Sequence, residues 1–135
     1  MPKSDALIGA FMDYLLQGVA LPSEGANYYL HLHTATPTSA GTGGTSEAAY
    51  TGYLAQAIAR EAASWTRTGS QVVNDNAIVF PECSGVSDDE VLLYASLTLA
   101  DGTIRYFGAL TAPGIRITYN QRPYFPAGAL VLTEV

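Results

Sequence analysis

The constraint that most narrows the possible folds is a single change of hydrophobic period near residue 26. Before it, Leu7, Phe11 and Leu15 recur every fourth residue, with Ile8, Met12, Leu16 and Val19 beside them. That spacing makes a wide apolar stripe on one α-helix. Ser4 can cap its start by accepting from a free amide of the first turn. Gly18 can close it in the left-handed conformation. After it the period is two: Tyr28, Leu30 and Leu32 point one way, and Tyr29, His31 and His33 the other, as in a half-buried strand.

From there on, short apolar runs are interrupted at roughly ten-residue spacing by Gly, Pro, Asn and Asp. This cadence belongs to antiparallel sandwiches and jelly rolls. The runs 53–60, 64–68, 77–80, 91–99, 103–110, 115–119 and 128–134 are expected as strands, with 91–99 as the central one. Asp101-Gly102 marks a tight hairpin, because both residues accept positive φ. Pro123 and Pro126 confine Tyr124 and Phe125 to an edge or a loop. Residues 34–53, rich in Gly, Thr and Ser, read as a long surface loop. The expected fold is therefore mainly β: one domain over residues 1–135, with an N-terminal helix at about 4–18 and an antiparallel, jelly-roll-like β-sandwich over about 27–135. The stripe of the helix reads first as a core face, with docking on a neighbouring subunit as the alternative.

Composition limits the function. The chain carries a net charge of −6, and only 13% of its 135 residues are charged, against about a quarter in an ordinary domain. Lys3 and five scattered arginines form no basic run. Nucleic acid and anionic membrane are disfavoured partners, because both need clustered Lys and Arg. No apolar run approaches the ~18 residues of a membrane span, and the interrupted N-terminal stretch does not read as a signal peptide. Cys83 is the lone cysteine, so no intrachain disulfide or CxxC metal pair exists, which fits folding in a reducing cytoplasm. A neutral, Tyr-rich surface suits protein contact.

Candidate chemistry is sparse. His31 and His33 share a strand face and could approach one metal, but the chain has no third histidine; a carboxylate would have to come from Asp88, Asp89 or Glu90. Otherwise the pair faces solvent or a neighbouring subunit. Asp88-Asp89-Glu90 lacks the spaced ligands of a calcium loop and reads as a solvated acidic turn. There is no GxSxG elbow. Cys83 follows Glu82, and a neighbouring carboxylate disfavours a thiolate. Gly41-Thr42-Gly43-Gly44 lacks the Lys and helix of a phosphate cradle. These observations assign no catalytic, cofactor-binding or metal-binding residue, and the expectation is a protein that is not an enzyme. Leu7, Phe11, Tyr29, His31, His33, Trp65, Tyr124 and Phe125 are the candidate interface residues, because exposed aromatics anchor interfaces or stack on sugar rings.

Read in order, the chain also resembles a family of small tailed-phage structural proteins, described as tail-fibre or virion proteins. The resemblance rests on Leu30-His31-Leu32-His33-Thr34-Ala35-Thr36-Pro37-Thr38-Ser39-Ala40-Gly41-Thr42-Gly43, then on Tyr53 to Ile58, and on Asn74 to Pro81. Gly108-Ala109-Leu110-Thr111-Ala112-Pro113 and Phe125-Pro126-Ala127-Gly128-Ala129-Leu130 complete it. The chain departs from the family between Ser84 and Ser96, where a Trp-containing strand is usual. The resemblance implies a virion component made in the host cytoplasm. The leading expectation is a capsid decoration (cement) protein, held on the major capsid protein or other virion proteins by passive contact, as a homo-oligomer with a trimer favoured. The alternative is a tail-fibre or baseplate-associated domain that binds host glycan or another tail protein.

Overall fold

The N-terminus is fixed to the body by its backbone. In the computed structural model, which describes residues 1–133, Lys3 bridges to Tyr106 in antiparallel fashion. The Phe107 amide donates to the Pro2 carbonyl at 3.1 Å, and the Ser4 amide to the Arg105 carbonyl at 2.7 Å. The first residues thus cover what would otherwise be an open strand edge, the usual liability of a sheet. Helix α1 (Asp5–Gln17) starts immediately after. The Ser4 hydroxyl accepts from the Leu7 amide at 3.2 Å and donates to the Ile104 carbonyl. Gly18 closes the helix at φ 68°, a conformation costly for a residue with a Cβ.

The body is mainly β and antiparallel. Its largest sheet contains β1 (Asn27–His33), β2 (Gln56–Ala59), β7 (Tyr94–Thr98) and β8 (Ile104–Ala109), in the order β2-β1-β7-β8. The expected hairpin joins β7 to β8: Gly102 has φ 89°, and the Asp101 carboxylate accepts from the Thr103 amide at 2.9 Å. Facing this sheet are three smaller ones. Strands β3 (Trp65–Thr68), β4 (Gln71–Asn74) and β11 (Val131–Thr133) pair in the order β11-β4-β3. Strand β5 (Ile78–Val79) pairs with β10 (Tyr124–Phe125), and β6 (Asp89–Leu92) with β9 (Ile115–Thr118). Leu30, Leu32, Ala95 and Leu97 of the large sheet share one core cluster with Ile78, Phe80, Leu92, Ile117 and Leu132 of the opposing layer. The cross-strand registers Leu30↔Leu97 and Leu32↔Ala95 place these four side chains on one face.

The structure corrects several expectations. Residues 91–99 are not one central strand. They divide at Leu93, with β6 pairing to β9 and β7 to β1 and β8. The turn is possible because Gly114 (φ 87°) crosses it closely: a Cβ there would lie 2.4 Å from the Leu92 carbonyl oxygen. The unexpected strand β4 returns from β3 through Gly69-Ser70, with Thr68 opposite Gln71. Residues 34–53 are not a free surface loop. The segment folds back on β1, with the Ala48 amide donating to the Leu32 carbonyl at 2.8 Å, and Tyr50 is 3% exposed. The final strand is described only to Thr133; Glu134 lies outside the described residues.

Candidate functional site

The two histidines of β1 are structural. His33 is fully buried. Its Nδ1–H donates to the Thr45 carbonyl at 2.7 Å, which leaves Nε2 to accept from the Ser96 hydroxyl at 2.7 Å. Both nitrogens of a neutral ring are thereby used. Burial lowers its pKa from the usual 6.5, with the Thr45 bond opposing. His31 is stacked beside it, ring centroids 6.4 Å apart, and its Nδ1 meets the Glu47 carboxylate. Glu47 also accepts from the Tyr53 hydroxyl at 2.8 Å. The carboxylate beside the histidines is thus Glu47 of the returning segment and not one of residues 88–90. Among the described residues, no group of three or more His, Cys, Asp and Glu could hold a metal ion. Gly43 lies so close over His31 that a Cβ would come within 2.8 Å of the ring. The pair therefore clamps residues 42–47 to β1.

The acidic run is likewise more than a solvated turn. Glu90 accepts from the Ala49 and Tyr50 amides at 2.9 and 3.0 Å, and Asp88 from the Thr51 amide at 2.6 Å. The Thr51 amide holds the Asp88 carboxyl below the ordinary carboxylate value. Asp89 points the other way into a two-pronged pair with Arg116 at 2.9 and 2.6 Å, and that pairing lowers its pKa. Cys83 is buried, with its thiol donating toward Asp88 at 3.5 Å. Burial pushes the neighbouring Tyr50 hydroxyl up to about 12; it donates to the Pro81 carbonyl at 2.7 Å.

What remains on the surface is apolar and aromatic. An open cleft of about 430 Å³ lies where the large sheet meets β3, β4 and β11. Tyr28, Trp65 and Tyr106 wall it, and Arg60, Glu61 and Ser70 supply polar groups. The Trp65 indole N–H is committed to the Ala59 carbonyl at 3.1 Å, so the ring offers its face and not its donor. The Tyr28 hydroxyl donates to Glu24 at 3.1 Å, and the Arg60 guanidinium lies 5.7 Å from the Tyr28 ring centroid. Burial and the Glu24 charge together raise the Tyr28 pKa. Glu24 itself holds the nearly buried Arg105 through two bonds of 2.9 and 2.8 Å.

Of the eight candidate interface residues, Leu7 (6% exposed) and His33 have almost no surface to offer. Phe11 carries the Lys3 ammonium 5.5 Å from its ring centroid. Phe125 packs edge-on against Phe80. Tyr29 is half-buried between Ala57 and Thr98, and His31 is held by Glu47. Trp65 lines the cleft. Tyr124, 54% exposed, borders a separate apolar groove of about 600 Å³ with Met1, Leu110 and Ile115.

The larger surface lies on α1, where Leu7 is the only buried residue. Met12 is 54% exposed, Leu15 74% and Leu16 78%. The expectation of a core face is thus corrected: Leu7 turns inward, while the flank through Ile8, Met12, Leu15 and Leu16 stays in water. The stripe was legible in the sequence. Its division into two faces was not, because a helix whose apolar side is this wide can seat either flank on the body.

The sequence model of a family described as podophage GP4 fiber I protein gp80 matches residues 2–133. No curated protein matches the chain.

Proposed function

Because the chain belongs to the podophage GP4 fiber I protein gp80 family, a family of phage virion structural proteins, we propose that it is a fibre element that works by adhesion alone. The family's description supports a fibre station over capsid decoration. The observation that carries adhesion is the apolar flank of α1, where Ile8, Met12, Leu15 and Leu16 lie open to water. A monomer seldom exposes a contiguous apolar patch above a few hundred Å² unless it is functional. The polar groups that suggest chemistry are committed to structure: His31, His33, Glu47, Asp88 and Glu90 each hold a segment of backbone or another side chain. The reading is therefore of a non-catalytic virion component bound to other virion proteins.

A second role is favoured by the cleft. An indole face beside two tyrosine rings, with Arg60, Glu61 and Ser70 within the same opening, suits a saccharide, whose C–H faces stack on aromatics while its hydroxyls take polar partners. A host glycan is the ligand of that chemistry in a fibre.

Gold-labelled antibody against the protein, viewed by electron microscopy on intact particles, should decorate fibres. Label spread over the head would overturn the fibre station. On a glycan array, binding should vanish with Trp65→Ala and persist with Tyr124→Ala, which lies outside the cleft. Equal binding by both variants would remove the glycan role and leave the fibre reading standing.

A further inference from the structure

Three of the arginines are paired with carboxylates of the same chain: Arg105 with Glu24, Arg116 with Asp89 and Arg122 with Glu82. Among the described residues, Arg60 and Arg67 have no such partner. Each donates instead to a backbone carbonyl, Arg60 to that of Gly25 and Arg67 to that of Gly69 at 2.8 Å. Both lie at the cleft walled by Tyr28, Trp65 and Tyr106. Arg60 lines it, with its guanidinium 5.7 Å from the Tyr28 ring centroid. Arg67 is two residues on from Trp65, so it shares the indole's face of β3. It stands opposite Val72, which also lines the cleft. In a chain of net charge −6, the arginines without a carboxylate are thus gathered at one opening.

Resting on the reading of this cleft as a saccharide site, we propose that the saccharide it takes is acidic, with a carboxylate on one sugar ring. A pyranose stacks a C–H face on Trp65, whose indole N–H is already given to Ala59. Its carboxylate then meets Arg60, whose planar fork matches a carboxylate with two N–H bonds. The Gly25 carbonyl and the Tyr28 ring hold that fork in place, so little freedom is lost on binding. Ser70 and Glu61 are left for hydroxyls. Among the described residues that line the cleft, Glu61 is the one carboxylate, and no ion pair joins it to Arg60. Glu61 also limits the charge of the ligand. Arg60 and Arg67 exceed it by a single positive charge, which a carboxylate balances. A phosphate monoester, at about −1.5 to −2 near pH 7, overshoots it.

Trp65 is the only tryptophan, so its fluorescence reports on this cleft. Trigalacturonate and sialyllactose, each beside its carboxyl methyl ester, are the probes for titration of the full chain. The acids should shift the Trp65 emission at concentrations roughly ten-fold lower than their esters. Arg60→Gln should bring the acids down to the affinity of the esters, a loss of about ten-fold. If that variant fails to fold, Glu61→Gln gives an independent reading: it should tighten the acids about two- to five-fold and leave the esters unchanged. Acids and esters that shift the emission at equal concentrations overturn the acidic preference and leave the saccharide reading standing. So does an affinity for the acids that neither variant changes. If no acid and no ester shifts the emission, the saccharide reading falls and this inference with it.

Discussion

His33 shows what a single buried side chain does to this protein's response to pH. Its ring is neutral because both nitrogens have fixed partners, one acceptor and one donor, with no water in reach. In the unfolded chain the same ring titrates near 6.5, and burial lowers that value in the fold. The unfolded state therefore takes up the proton first as pH falls. The stability contribution is complete above the unfolded value of 6.5 and is lost progressively as pH drops from there toward the lowered folded value. The melting temperature should fall between pH 7.5 and 5.5 at constant ionic strength. His33→Gln should melt lower at pH 7.5 but lose most of that slope. An equal slope in the variant would place the titration elsewhere. Asp88, Asp89 and Asp101 have pKa values lowered from 3.8, so their contributions persist above that value and fade only below about pH 4, a separate window.

At the scale of elements, the segment from Thr34 to Tyr53 is the part whose order is least obvious from composition. Its Gly, Thr and Ser content is that of a loop, yet acceptors far away in sequence fix it: Leu32 by a backbone carbonyl, Glu90 and Asp88 by carboxylates. Glu90→Ala removes the acceptor for two amides and should cost about 1–2 kcal/mol. Proteolysis should then begin between residues 49 and 54, while Glu90→Gln, which keeps one carbonyl acceptor, should resist longer. Cleavage at the wild-type rate in Glu90→Ala would show the segment to be held by packing of Ala48 and Tyr50 instead. This anchoring also marks how far the sequence could be read. Alternation located β1 and the Asp-Gly signal located the β7–β8 hairpin, since both depend on near neighbours. The break at Leu93 was hidden because 91–99 is uninterrupted in β propensity, and only Gly114, over twenty residues away, makes the division possible. Strand β4 escaped because its runs are short, although Gly69-Ser70 is a recognisable hairpin turn. The pairing of Glu47 with His31 and the walls of the cleft come from segments distant in sequence, and no local pattern encodes them.

For the whole molecule, low charge density and an apolar helix flank act together. Each copy carries −6, so bringing copies side by side costs electrostatic repulsion, while the contact itself removes apolar surface from water. The exposed pairs Arg116–Asp89 and Arg122–Glu82 lie within the chain and contribute little at the surface. Added salt thus weakens only the opposing term. At about 0.1 M the Debye length is ~10 Å, and at 1 M it is ~3 Å. Any association of copies through this flank should therefore tighten as sodium chloride rises from roughly 0.05 to 0.5 M, with sedimentation equilibrium giving a lower dissociation constant at each step. An assembly joined by ion pairs would loosen over the same range, because screening would then act on the attraction. The direction of the salt response thus distinguishes a contact through the apolar helix flank from a contact between charged β surfaces. A dissociation constant that rises with salt would exclude α1 as the principal contact.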